Sequence, residues 1–402
     1  MDKVEAIWRI ESARLIAGLA RFVRDVALAE DLAQDALVAA LEQWHRDGVP
    51  DAPGPWLMAV AKRKAIDALR RRDAYASKLI LIQEVPEAED WDDAIDDHLG
   101  DDLLRLIFTA AHPTLTTDAQ KALILRMLCG LSTPEIARAF LIPEATAAQR
   151  IVRAKKTLTG VRFEMPTKDE TTARQSQVLQ IVYLIFNEGY AATGGDDWAR
   201  PALCHEAMRL GRLLASLLPD DAEAHGLLAL MELQASRLAA RVDAAGEPVP
   251  LLEQDRRRWD RALIRHGLDA LARAEALGGG PYTLQAMIAA CHARAINPAA
   301  TDWPRIAALY EVLAHVQPGP VVRLNQAVAL GFAGDPGRGL RIVDELDLPD
   351  YPHHPAVRAE LLDRLGRGDE ARAELGRAAA MSRNAAEQRL FRRRADRINP
   401  AK

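Results

Sequence analysis

The chain has 402 residues and a formal net charge of −5, with 27% charged and 49% hydrophobic residues. At roughly 100–200 residues per domain, this length predicts about two to four domains, and the slight acidity excludes a chain that is basic throughout. Aromatic residues make up only 5%, which disfavours a β-sandwich or barrel. Three widely separated cysteines predict neither a disulfide framework nor a cysteine zinc site.

Helical periodicity runs through almost the whole sequence, and no alternating strand pattern stands out. The first residues do not form a signal peptide, and no apolar run approaches the roughly 18–20 residues of a membrane helix. We therefore predict an all-α protein that is cytoplasmic and has no membrane partner.

Charge is distributed unevenly along the chain. Residues 1–160 hold 21 basic and 25 acidic residues, and ten of these acids lie between Glu84 and Asp102, where no Lys or Arg occurs. We therefore predict two basic modules, residues 1–82 and 103–160, joined by an exposed acidic linker at residues 83–102.

The first module contains a helix with an acidic stripe. At about 100° per residue, Asp31, Asp35 and Glu42 fall within roughly 40° of one another. The remaining, broad face is apolar; it carries Leu32, Ala36, Leu37, Leu41 and Trp44. The stripe predicts either a docking surface for a basic partner or an ordinary solvated face.

A Pro- and Gly-rich break at residues 46–55 precedes a helix with a basic face. Six basic residues and one acid lie between Lys62 and Arg72, as phosphate neutralisation requires, although a solubilising helix end has the same composition. Trp56 is suited either to stacking on an exposed base or to packing beneath the preceding loop.

The second module predicts a helix-turn-helix. Ser132 and Glu135 have capping-box spacing before a short helix, and a turn at Pro143 leads into a last helix. On that helix one face is apolar and the other is suited to base edges and phosphates. The apolar face carries Ala147, Ile151, Ala154 and Leu158; the polar face carries Thr146, Gln149, Arg150 and Arg153.

A second polar linker is predicted at residues 161–175, followed by a helical domain at residues 176–402. Within it, Gly334-Asp335 and Gly368-Asp369 lie 34 residues apart, which is the period of tetratricopeptide (TPR) repeats. We therefore predict a TPR-like domain, whose groove would hold a protein or peptide partner.

Evidence for an enzyme is thin. A polar island at residues 187–197 and the pairs Cys204-His205 and Cys291-His292 are the only candidates for acid–base or metal chemistry. Adjacent helical residues diverge by about 100°, so neither pair readily shares a ligand. We predict no catalytic residue, no metal site and no cofactor.

The order of these elements resembles the extracytoplasmic-function (ECF) subfamily of bacterial RNA polymerase sigma factors. Residues 29–35 are similar to region 2.2, residues 55–71 to region 2.4 and residues 130–155 to region 4.2. Motifs at residues 183–190, 203–214, 255–260 and 301–310 resemble the group with a C-terminal TPR-like extension. In that group the extension is expected to take part in control, without a dedicated membrane anti-sigma partner.

The resemblance implies core RNA polymerase, through its β′ clamp and β flap, and promoter DNA as partners. The implied polymerase-binding residues are Asp31, Gln34, Asp35 and Glu42. The implied minus-10 residues are Trp56, Lys62, Arg63, Lys64, Asp67, Arg70 and Arg71. The implied minus-35 residues are Ser132, Thr133, Thr146, Gln149, Arg150, Arg153 and Lys156.

Two other functions remain open from the sequence. One is a helix-turn-helix regulator with a TPR-like sensor that binds operators without polymerase, although such a protein needs no acidic docking stripe. The other is a TPR scaffold or hydrolase that uses the island at residues 187–197, which leaves the first 160 residues unexplained.

Overall fold

The computed structural model describes residues 3–76, 91–140, 142–190, 200–244, 246–382 and 384–398, although not the side chains of residues 71–76, 91–99 and 168. In these ranges the protein is all-α, as predicted, and the only β pairing is an isolated bridge between Val242 and Pro248. The chain divides into two compact units, residues 1–182 and 183–402.

The first unit contains two groups of helices, with helix α8 running across the division. They are α1 (Lys3–Val23), α2 (Val26–Asp47), α3 (Pro53–Ala76), α4 (Trp91–Ala110), α5 (Thr117–Met127), α6 (Thr133–Phe140), α7 (Glu144–Thr157) and α8 (Lys168–Tyr190).

Helix α1 is the centre of the first unit. Its buried face carries Ile16, Ala17 and Ala20, none of which is accessible to solvent, and it packs against α2, α3 and α4. Burial of such aliphatic side chains supplies the main stabilisation of a helical core.

Both predicted linkers are shorter in the structure. Helix α4 begins at Trp91, so the last part of the segment predicted as an exposed linker is helical. Asp102, at the end of that segment, is buried, because Arg21 and Arg105 form ion pairs with its carboxylate. Helix α8 begins at Lys168, within the second predicted linker; residues 83–90 lie outside the described residues.

The second unit is a series of helices that pack mainly on their neighbours in the chain. They are α9 (Pro201–Leu217), α10 (Ala222–Ala235), α11 (Arg261–Ala276), α12 (Pro281–Arg294), α13 (Trp303–Val316), α14 (Pro320–Phe332), α15 (Pro336–Asp344), α16 (His353–Arg364), α17 (Gly368–Met381) and α18 (Ala385–Arg397).

The two Gly-Asp pairs that lie 34 residues apart both fall at the start of a helix, but not at equivalent positions of the turn. Gly334 has a φ of +103° and leads into α15, where Asp335 caps the helix by accepting a hydrogen bond from the Arg338 amide. Before α17 the glycine with positive φ is Gly366, at +76°, and the N-cap is Arg367, so Gly368 and Asp369 are the first residues inside the helix. The pairs α14–α15 and α16–α17 pack as successive helical hairpins.

One contact departs from the neighbour-to-neighbour pattern. The segment between α10 and α11 reaches the last helix, α18, where Glu247 pairs with Arg389 at 2.7 Å and with Arg393 at 2.9 Å. Glu253 pairs with Arg397 at 3.2 Å. The segment thus ties an early part of the series to its end.

Candidate functional site

Helix α2 buries one face and exposes another. Asp25 begins the helix, since its side chain accepts a hydrogen bond from the Leu28 amide at 3.0 Å. Leu32, Ala36 and Trp44 are buried, as the periodicity predicts. The predicted acidic stripe therefore lies on the opposite, solvent side.

We call this exposed surface of α2 the docking face; it comprises Asp31, Asp35, Val38, Leu41 and Glu42. Asp31 and Asp35 have 64% and 58% of their side chains exposed, and Val38 and Leu41 are also exposed. The placement of Leu41 on the buried face is wrong, because it lies only about 80° from Asp31 around the helix. The predicted residue Gln34 is half-buried at the edge of this surface.

Glu30, which the sequence analysis did not single out, is buried next to the docking face. Its carboxylate forms an ion pair with Arg126 Nε of α5 at 2.8 Å and another with Lys155 Nζ of α7 at 2.6 Å. Lys155 also pairs with Asp31. Burial lowers the pKa of Lys155, but the charges of Glu30 and Asp31 outweigh burial, so that pKa is raised above its ordinary value.

The predicted minus-10 residues lie along α3. Arg63, Asp67 and Arg70 are exposed, while Lys62 and Lys64 are half-buried. Lys64 Nζ lies 3.5 Å from Asp35 Oδ2, so the basic and acidic faces meet at the boundary of α2 and α3. The side chain of Arg71 lies outside those that the structure describes.

Trp56 packs against a neighbouring indole at the start of α3. The ring centroids of Trp44 and Trp56 are 5.2 Å apart and the planes are tilted by 59°, a favourable arrangement for two aromatic rings. Trp56 is half-buried. Of its two suggested roles, the geometry supports packing, with part of the ring open to solvent.

Helices α5, α6 and α7 form the predicted helix-turn-helix. Ser132 and Glu135 make the predicted capping box, with Ser132 N donating to Glu135 Oε2 at 2.8 Å and Glu135 N donating to Ser132 Oγ at 3.4 Å. Burial raises the pKa of Glu135, but hydrogen bonds from Ser132 and the charge of Arg9 produce a net lowering. Ser132 and Thr133 are half-buried at the turn.

The last helix, α7, divides as predicted into a buried and an exposed face. Its apolar face of Ala147, Ile151, Ala154 and Leu158 is buried. We call its exposed predicted residues the reading face; they are Thr146, Gln149, Arg153 and Lys156. Arg150 is half-buried and pairs with Asp118 Oδ2 at 3.2 Å.

The two predicted modules of the first unit pack directly on each other. Arg9 on α1 pairs with Glu135 on α6. Gly130, with a φ of +66°, lies where a Cβ would approach Ser12 Oγ and the Trp8 ring. The contact of Glu30 with Arg126 and Lys155 joins the same two groups of helices.

In the second unit, the start of the polar island belongs to a stack of aromatic and cationic groups. Arg241 Cζ lies 3.7 Å from the Tyr190 ring centroid, and Arg237 lies 5.8 Å from Tyr190 and 5.9 Å from Trp259. Arg256 lies 4.7 Å from the same Trp259 ring. These cation–π contacts give Tyr190 a structural role; residues 191–199 lie outside the described residues.

The two Cys-His pairs lie on α9 and α12. Cys204 is buried while His205 is exposed, and burial raises the pKa of the Cys204 thiol to about 12. Burial, with the charges of Arg237 and Arg256, lowers the pKa of His292 to about 3. Among the described side chains, no three His, Cys, Asp or Glu residues group as a metal site.

Two small cavities border α18 in the second unit. Their volumes are about 170 and 150 Å³, and both are lined by Glu253, Arg394 and Arg397. Ligand pockets usually measure about 300–1,000 Å³, so neither cavity suits an ordinary small-molecule ligand. In the described parts of the chain, no helix is both long and apolar enough to cross a membrane.

Family models match three parts of the chain. Sigma-70 region 2 matches residues 10–75, and Sigma-70 region 4 matches residues 105–158. These ranges contain the docking face and the helix-turn-helix. The chain belongs to the ECF-type sigma factors. A family of unknown function, DUF6596, matches residues 174–275 of this sigma factor.

Similar proteins differ in how much of the sigma factor they match. The uncharacterized protein R00370 of Rhizobium meliloti (strain 1021) is 41% identical over 392 residues, which cover 95% of this chain and 93% of that protein. The RNA polymerase sigma factor CarQ of Myxococcus xanthus is 34% identical over 139 residues, covering 34% of this chain and 75% of CarQ.

The ECF RNA polymerase sigma factor SigC of Mycobacterium tuberculosis (strain CDC 1551 / Oshkosh) is 27% identical over 143 residues, or 34% of this chain and 71% of SigC. No solved structure is significantly similar to this chain. The match to R00370 therefore extends over nearly the whole chain, whereas CarQ and SigC each match 34% of it.

Proposed function

We propose that this sigma factor binds core RNA polymerase through the docking face of α2 and directs it to promoters. In this proposal α3 contacts the minus-10 element and α7 contacts the minus-35 element. The C-terminal unit modulates this activity through a protein or peptide partner.

The observation that carries the proposal is the pair of exposed faces on one chain. The docking face combines carboxylates with the exposed apolar side chains of Val38 and Leu41, as a protein interface requires. The reading face presents Gln149, Arg153 and Lys156, which are suited to bases and phosphates. A regulator that worked without polymerase would need only the second face.

A modulating role for the C-terminal unit is supported by its architecture. Helical hairpins in series offer extended surfaces that bind proteins or peptides.

The test is run-off transcription with purified core RNA polymerase on genomic promoter fragments, with and without the full-length protein. Transcripts that start at discrete sites only when the protein is added are expected. Absence of both transcripts and core binding, with tight operator binding by the protein alone, would replace this proposal with the polymerase-independent regulator.

The role of the C-terminal unit needs a separate comparison. A variant that ends after Tyr190 keeps the whole of α8 and should retain core binding but transcribe at a different level. Circular dichroism controls for its folding. Identical transcription by the folded variant and the full-length protein would exclude modulation by the C-terminal unit.

A further inference from the structure

We propose that α18 carries a binding site for an acidic segment of a partner protein, and that residues 246–253 of this chain fill the site until the partner arrives. We call residues 246–253 the strap. The site is a row of three arginines on α18, namely Arg389, Arg393 and Arg397. This inference rests on the proposed function, because it gives the partner of the C-terminal unit a place and a chemistry.

The three arginines face the same side of α18 and are open to solvent. They recur every fourth residue, which separates neighbours by about 6 Å along the helix and turns each from the last by only about 40°. Their side chains are 49%, 40% and 65% exposed. A guanidinium offers a planar fork of donors that matches a carboxylate. The row is therefore able to pair with carboxylates that are spaced along a polypeptide.

The strap indicates which chemistry the row binds. Glu247 places one carboxylate between two arginines, 2.7 Å from Arg389 Nε and 2.9 Å from Arg393 Nη1. Glu253 pairs with Arg397 at 3.2 Å. The row thus holds two carboxylates of a single short segment. An acidic segment of another protein offers the same groups, so it is the kind of ligand that can take the place of the strap.

The turn that leads into the strap is held by hydrogen bonds of its own. Asp243 N donates to Glu247 O at 3.0 Å, and Glu247 N donates to Asp243 Oδ1 at 2.9 Å. Val249 N donates to Arg241 O at 2.8 Å. These three bonds do not involve α18, so they remain when Glu247 leaves the arginines. The strap can therefore be exchanged for another acidic segment without unfolding of this turn.

The strap leaves space beside the arginines unfilled. A cavity of about 150 Å³ is lined by Pro248 and Val249 of the strap and by Leu390 and Arg393 of α18. Arg393 Nη2 also lies 3.5 Å from the carbonyl oxygen of Pro248. A second cavity, of about 170 Å³, borders Arg397. A partner segment with larger apolar side chains next to its carboxylates would fill this space, so we expect it to bind better than the strap.

Carboxylates beside the row disfavour a nucleic acid at this place. Glu360 pairs with Arg394 at 2.5 Å and, together with Asp363, lines the cavity that borders Arg397. A nucleic acid brings a continuous line of phosphates, and its binding depends on neutralisation by several cations. The fixed acids repel such a backbone, whereas a protein segment carries its few carboxylates at separate positions. These observations favour an acidic protein segment.

The experiment measures whether the site binds an acidic segment that is supplied from outside. The probe is a fluorescent synthetic peptide with the sequence of residues 243–254, and the protein is the full-length chain. Glu247→Gln combined with Glu253→Gln removes the carboxylates of the strap from the arginines. Because a ligand binds only the molecules whose site is open, fluorescence anisotropy should give this double variant a Kd for the peptide about tenfold or more below that of the wild type.

Three controls separate the site from general attraction between charges. Addition of Arg393→Gln to the double variant should raise the Kd for the peptide by about tenfold, because the central guanidinium of the row is then lost. A peptide with Gln in place of both glutamates should bind the double variant at least about tenfold more weakly. Glu370→Gln removes an exposed ion pair with Arg367 outside the site and should leave the Kd at the wild-type value.

Three results would overturn the proposal. Equal Kd values for the wild type and the folded double variant would mean that the strap does not occupy a ligand site. Equal binding of the two peptides would exclude recognition of carboxylates. Displacement of the acidic peptide by an equimolar DNA duplex would assign the row to a nucleic acid instead.

A single variant covers the case in which circular dichroism shows that the double variant is unfolded. Glu247→Gln alone should also lower the Kd for the peptide, by about threefold or more, and no decrease would overturn the proposal as well. The measurement contains no polymerase, so its failure leaves the proposed role at promoters intact. Conversely, absence of transcription would leave binding of the peptide unchanged.

Discussion

Gly130 lies so close to Ser12 that a Cβ on the glycine would be 2.8 Å from Ser12 Oγ. Ser12 is fully buried on α1, and Gly130 belongs to the turn before α6. The turn of the helix-turn-helix is thus fitted to the surface of α1, and the lack of a side chain at this position serves both the turn and the contact.

Gly130→Ala should therefore destabilise the first unit by about 2 kcal/mol, since it adds strain at positive φ to the close contact. Gly160→Ala is the matched control, because Gly160 has a φ of +85° but nothing within 4 Å of its Cβ position. Urea unfolding of both variants measures the difference. Equal decreases in the free energy of unfolding of the two variants would mean that the contact with Ser12 adds nothing to the destabilisation.

Reversing charge on the docking face should weaken binding to core polymerase. Asp35→Lys combined with Glu42→Lys reverses two exposed charges, and we expect about a tenfold higher Kd. Asp220→Lys, at an exposed site in the second unit, should not change it. Fluorescence anisotropy with labelled core measures both; equal Kd values would place the polymerase contact elsewhere.

Arg153 should contribute more to promoter affinity than its neighbour Arg150. Arg153 is exposed, whereas Arg150 pairs with Asp118 and must leave that carboxylate to bind DNA. Arg153→Ala should cost about 1–3 kcal/mol at the upstream element if it reads a base. Footprinting of the polymerase complex measures this loss. Full recovery in Arg153→Lys would assign the residue to phosphate contact instead.

Acidification should destabilise the second unit through His292. Its folded pKa is about 3, below the ordinary value of 6.5, so between these values only the unfolded chain takes up the proton. The stabilisation of the folded state by neutral His292 is fully present above about pH 6.5. As the pH falls below that value, the free energy of unfolding decreases by at most about 1.4 kcal/mol per pH unit. Thermal unfolding of the wild type and of His292→Gln at pH 7 and pH 5 measures this decrease in stability. An equal decrease in the two proteins would exclude His292 as its source.

Local sequence patterns predicted the helix-turn-helix in detail. The capping box of Ser132 and Glu135 and the two faces of α7 depend on residues within a few turns of one another, where helical geometry alone decides. Both appear in the structure as predicted. The all-α class followed from the same kind of local regularity.

Those local patterns do not predict contacts between residues that are distant in the sequence. Glu30 lies between Ala29 and Asp31, and only the packing of α5 and α7 on α2 makes it a buried ionic centre. Asp102 was assigned to an exposed linker for the same reason, since Arg21 comes from a distant helix. The one available signal was an acid at the edge of the apolar side of α2, about 60° from Ala33 around the helix.

The ion pairs between Glu247 and the arginines of α18 change how the second unit unfolds. In an open series of hairpins the terminal helix has one neighbour only. It therefore unfolds first, and unfolding then spreads to the inner helices. Here α18 is also held by a residue more than 140 positions earlier, through Arg389 and Arg393. Fraying from that end must break both attachments at once, which makes the unit's unfolding more cooperative than its repetitive architecture would suggest.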